Sequence, residues 1–184
     1  MAGVPGSIVR LAILGAVGAW LADRWLRERA AGPEPPSIRT SIEIDAPIER
    51  AWAVLADIER QPEWMHDLKS VEVLTPPPIG VGTRAVGRVR AFGIDVEDPI
   101  EITAFEPPVR YSIRHDGFVG GVGDIRLVNE GGRDGEASAT LVTWDETLVP
   151  RVLPHLGALV IALVFRPIFE RDLERLAGLV EAEA

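Results

Sequence analysis

The hydrophobic rhythm of the chain changes several times, and each change marks an element. From Ile38 it alternates, with Ile38, Thr40, Ile42 and Ile44 on one face and Arg39, Ser41, Glu43 and Asp45 on the other, the two-residue period of a half-buried strand. After Ala46-Pro47 the period lengthens. Ile48, Trp52, Leu55 and Ile58 follow helical spacing, Pro47 lies near the first turn, where a missing N–H costs nothing, and Glu49 suits the helix dipole. A second short helix is expected over about 59–68, carrying Pro62, Trp64 and Met65. Alternation returns over 70–75, 83–92, 94–105, 109–116, 122–128 and 137–148. Turn formers separate these stretches: Pro76-Pro77-Pro78, Gly93, Pro107-Pro108, the glycines from Gly117 to Gly123, and the 131–135 loop. The stretch 154–182 predicts one long helix, apolar on every side from His155 to Phe165. Beyond Pro167 it is amphipathic, with Phe169, Leu173, Leu176 and Val180 at helical steps. A helix this apolar needs a covering, and the strands before it predict a curved antiparallel sheet that supplies one.

The N-terminus has a different character. Val4 to Ala22 is apolar except for Ser7 and Arg10, and it leads into Trp20, Trp25 and the basic residues Arg24, Arg27 and Arg29. A spanning helix needs about 20 apolar residues, a length reached here only if Arg10 snorkels to the nearer surface. Residues 1–29 are therefore expected to form a membrane anchor through 4–22, and the arginine excess after it places the following domain on the cytoplasmic side. A cleaved signal sequence is the weaker reading, because most of the positive charge follows the apolar run. An amphipathic helix of a cytoplasmic protein is the other alternative. Residues 30–37 are a Pro-rich linker, leaving 38–184 as one domain.

Composition narrows the chemistry. A formal net charge of -9 would repel nucleic-acid phosphate from most of the surface, so no nucleic-acid partner is expected. The chain has no cysteine, which excludes disulfides and thiolate chemistry, and its three histidines, His66, His115 and His155, are far apart in sequence. No metal and no cofactor are expected.

The run Ile42, Ile44, Ala46-Pro47, Glu49, Ala51-Trp52, Leu55, Asp57, Glu59-Arg60, Pro62 and Trp64, followed by Val71-Glu72-Val73-Leu74, resembles the polyketide cyclase/dehydrase-like members of the START-like (SRPBCC) superfamily. Phe105-Glu106-Pro107-Pro108-Val109-Arg110 is similar to that family's turn between middle strands, and Arg171, Leu173 and Leu176 sit as in its closing helix. The resemblance covers about 38–182. It implies an α+β helix-grip fold: a curved seven-stranded antiparallel sheet wrapped around a long C-terminal helix, with two short helices after the first strand. It implies little about activity, because the family holds cyclases, lipid and hormone carriers and quinone-binding proteins.

Strand parity then suggests a pocket. The third strand turns Thr83, Ala85, Gly87, Val89 and Ala91 towards the helix and Arg84, Arg88 and Arg90 away from it. Small residues opposite an apolar helix leave volume for a hydrophobic ligand, unless aromatic and aliphatic side chains fill it. The expected ligand contacts are Ala85, Gly87 and Val89, with Tyr111 and Ile113 of the fifth strand, Trp64 and Met65 of the second short helix, and Leu159 and Leu163 of the last helix. Trp52 reads as core.

Asp98 is the outlier, an acid on the apolar face just before Pro99. A hairpin that sets Ala104 opposite Val109 would set Asp98 opposite His115, a carboxylate orienting an imidazole. A bulge at Pro99 would instead turn Asp98 outward. The strand carrying Trp144 has two faces too alike to orient. Three functions follow: a binder of a hydrophobic small molecule or lipid, which is preferred; a cyclase or dehydratase using His115 and Asp98; and a protein-interaction module at the membrane. The sequence leaves the oligomeric state unspecified.

Overall fold

A computed structural model describes residues 6–29, 35–91, 93–130 and 139–183. The alternating stretches form strands β1 (Ile38–Ile44), β2 (Leu68–Val73), β3 (Arg84–Ala91), β4 (Ile94–Glu106), β5 (Arg110–Asp116), β6 (Val119–Glu130) and β7 (Ala139–Pro150). They make one seven-stranded sheet in the order β1-β7-β6-β5-β4-β3-β2, with every pair antiparallel. Five of these pairings join consecutive strands; only β1 crosses to the far end, to pair with β7. The connection from β1 to β2 carries helices α2 (Ile48–Leu55) and α3 (Gln61–Trp64), counted after the N-terminal helix α1 (Gly6–Arg29). Helix α3 is shorter than the predicted 59–68. Met65 is already extended and Leu68 opens β2 by pairing with Val89, so sheet pairing takes the residues that a longer helix would have used. The 131–135 loop lies outside the described residues.

The final helix, α4 (Pro154–Ala182), is unequal along its length. Its buried positions after Pro167, namely Phe169, Asp172, Leu173, Leu176, Ala177 and Val180, fall on one stripe that packs on the sheet and on α2. Phe169 packs on Trp144 with ring centroids 4.4 Å apart and planes tilted by 59°, and Trp144 meets Trp64 edge-on at 5.9 Å. Before the proline, Val160, Leu163 and Val164 are exposed. The sheet thus grips the second half of α4, whereas the apolar first half leaves one side exposed, lies against α1 and packs Ala162 and Phe165 on the core.

Helix α1 revises the expectation of a spanning anchor. No helix among the described residues is long and apolar enough to cross a membrane. Instead, Ala19, Ala22, Asp23 and Leu26 form the half-buried face of α1. Asp23 serves as a cap at long range: its Oδ1 accepts the backbone N–H groups of His155 and Leu156, each at 2.8 Å. Leu153, the residue ahead of α4, is left-handed (φ 54°) and makes no cap of its own, so the first-turn donors of α4 are satisfied from α1. Leu11, Leu14, Val17, Trp20, Leu21 and Trp25 remain exposed.

Candidate functional site

Between the sheet and α4 lies a cavity of about 240 Å3. It exists because one wall is thin. Gly87 is buried on β3 and presents no side chain there; a Cβ at this position would meet Leu68 Cδ1 at 3.1 Å. Val71, Val89 and Ile113 line the sheet side, Met65 the end near α3, and Ile161, Phe165, Ile168 and Phe169 the helical side.

The polar groups of the cavity are concentrated on β4, β5 and β7. His115 Nδ1 lies 2.7 Å from Asp98 Oδ2. The register differs from the expected one, because a bulge between Ile102 and Ala104 sets Ile100 opposite His115 and Ala104 opposite Ser112. Asp98 therefore meets His115 diagonally, within the reach of next-neighbour pairs, and Pro99 does not turn it away. A third member, Glu146, was not foreseen. It sits two residues beyond Trp144 on the same face of β7 and is only 2% exposed. Trp144 Nε1 donates to its Oε2 at 2.9 Å. Its Oε1 lies 3.1 Å from His115 Nε2, the distance of an ion pair, although the two atoms lack the alignment of a hydrogen bond. Gly123 makes the space: a Cβ there would come within 2.5 Å of Glu146 Oε2.

These neighbours decide the charge on His115. Burial alone would favour the neutral ring, but the hydrogen bond to Asp98, the contact with Glu146 and the negative charge of both outweigh it. The imidazole is raised to about 10. Across the cavity, α4 contributes Asp172, buried and accepting the His66 N–H at 2.9 Å. Burial raises Asp172 to about 6; the His66 hydrogen bond opposes the rise and the charge of Asp67 adds to it.

Of the residues singled out in the sequence, Met65, Gly87, Val89, Ile113, Asp98 and His115 line the cavity. Trp64 and Tyr111 belong to the core instead, and Ala85 packs in a smaller cluster with Ile58 and Ile100. Leu163 is 70% exposed and Leu159 half-buried, and neither lines the cavity. The helix turns Ile161, Phe165 and Ile168 inward, a phase that an all-round apolar segment cannot reveal. Among the described residues no group of three or more His, Cys, Asp or Glu is placed to hold a metal ion.

A curved antiparallel sheet gripping a C-terminal helix above an apolar cavity defines a protein of the helix-grip fold. The chain belongs to the polyketide cyclase / dehydrase and lipid transport family, whose model matches residues 35–181. Solved structures agree in fold. A protein from Thermus thermophilus is similar at TM-score 0.62 and 20% identity, covering 81% of this chain and 99% of that one. The Zhui aromatase/cyclase from Streptomyces sp. R1128 is similar at TM-score 0.61 and 17% identity, covering 79% and 93%. A START superfamily protein from Mycobacterium smegmatis is similar at TM-score 0.61 and 14% identity, covering 80% and 99%. Identities this low speak for the fold alone. No curated protein matches the chain in sequence.

Proposed function

We propose that this protein binds a hydrophobic small molecule, or the apolar part of a lipid, in the cavity between the sheet and α4. The observation that carries this reading is a cavity walled by Val, Ile and Phe with its polar groups gathered at a few positions, the usual build of a small-molecule site. The state of His115 limits the cyclase or dehydratase alternative to a general-acid role for this ring. An imidazole raised to about 10 holds its proton at neutral pH and has no free lone pair with which to abstract another. Native mass spectrometry of the protein purified from its own host tests the proposal, together with saturable fluorescence of the neutral dye N-phenylnaphthylamine. A co-purifying apolar molecule displaced by the dye is expected; absence of both signals would refute ligand binding.

A second reading concerns location. On the exposed face of α1, the Arg29 guanidinium lies 4.7 Å from the Trp25 ring centroid and that of Arg24 lies 5.9 Å from that of Trp20. Apolar side chains beside Trp and Arg suit a helix lying in the headgroup layer of an anionic, cytoplasm-facing membrane surface rather than one spanning it.

A further inference from the structure

We infer that the cavity is selective by charge, accepting an apolar body that carries an ammonium or hydroxyl head and rejecting carboxylate and phosphate heads. This deepens the ligand-binding reading above and rests on it. On the sheet side two carboxylates, Asp98 and Glu146, flank a single imidazole, so even the protonated ring leaves one negative charge in surplus. On the facing wall α4 adds Asp172, buried, and Asp67 lines the approach.

Among the described residues no lysine or arginine lines the cavity. The arginines of β3 are exposed, with Arg90 held 2.6 Å from Asp95, and Arg114 of β5 lies 3.1 Å from Glu101 at the surface. An entering anion would therefore meet a net negative charge, the imidazolium of His115 being already engaged by Asp98 and Glu146, in apolar surroundings where charges are poorly screened. A cation would find its counter-charge already in place. Asp98 is the member best able to reach a ligand: 23% of its side chain is accessible, and only one of its oxygens is used by His115.

Size narrows the class further. About 240 Å3 is below the usual range of about 300–1,000 Å3 for drug-sized sites, which suits a body of one or two rings or a short alkyl chain and leaves no room for paired acyl chains.

Three ligands of one shape separate the possibilities: naphthylethylamine, naphthylethanol and naphthylacetate, titrated against the full chain by calorimetry near neutral pH with N-phenylnaphthylamine as the neutral reference. The amine is expected to bind at least about tenfold more tightly than the carboxylate, with the alcohol between them. Asp98→Asn and Asp172→Asn, each checked for native circular dichroism, should each narrow that gap. Should the carboxylate bind as tightly as the amine while the dye still binds, charge selection is wrong and ligand binding stands. Should neither the dye nor any of the three bind, the ligand-binding reading fails and takes the selectivity with it.

Discussion

A buried imidazolium held between two acids ties stability to pH through single side chains. The folded-state value of His115, about 10, lies above its ordinary 6.5, so its contribution to stability is complete below about 6.5 and drains away as pH rises through 10. Urea denaturation followed from pH 6 to 10 should show that decline, and Glu146→Gln should flatten it while costing about 3 kcal/mol at neutral pH, because one partner of a buried pair is lost. Asp172 behaves in the same sense at lower pH. Raised from 3.8 to about 6, it favours the folded state while protonated, and that advantage disappears as pH climbs through 6. Asp172→Asn keeps an acceptor for the His66 N–H and should give an equal or higher melting temperature at pH 7. At this scale the sequence was only partly legible. Asp98 and His115 showed themselves as polar residues on apolar faces. Glu146 did not, because Thr140, Val142, Trp144 and Glu146 oppose a face of nearly equal character. Asp172 carried a usable signal, since helical phase alone puts it on the stripe of Phe169 and Leu176.

Elements were easier to read than their pairings. Alternation and proline-glycine turns revealed each strand, although β6 begins at Val119, inside the glycine stretch expected to be turn, and the bulge between Ile102 and Ala104 lies in the chain's three-dimensional register, which alternation cannot count. Long-range capping was equally hidden: Asp23 serves backbone groups more than a hundred residues downstream. Its removal tests the connection. Asp23→Ala should cost about 1 kcal/mol by chemical denaturation, the ordinary worth of a cap, with faster amide exchange confined to the first turn of α4. Within the sheet, Gly123→Ala would drive a methyl group into the Glu146 carboxylate. His115 should then titrate at a lower pH, visible in its imidazole proton resonances, if Glu146 is what supports its charge.

For the molecule as a whole, the apolar surface of α1 matters more than any one contact. If that face rests on anionic headgroups, flotation with vesicles containing phosphatidylserine should carry the protein upward, while purely zwitterionic vesicles should not, and salt should weaken the association. Trp20→Ala combined with Trp25→Ala should abolish flotation without altering the fold, since both rings are exposed. The proline inside α4 reaches further. Pro167 has no N–H to continue the helical ladder, and it lies between a downstream half that anchors the globule while lending Ile168, Phe169 and Asp172 to the chamber and an upstream half that adds Ile161 and Phe165 to its wall. Guest choice and robustness therefore overlap along this rod and part company only towards its upstream end. Diversifying Ile161 should retune which guests are admitted at little cost in melting temperature, whereas changes at Phe165, which packs on the core 6.4 Å from Phe169, should lower it as well.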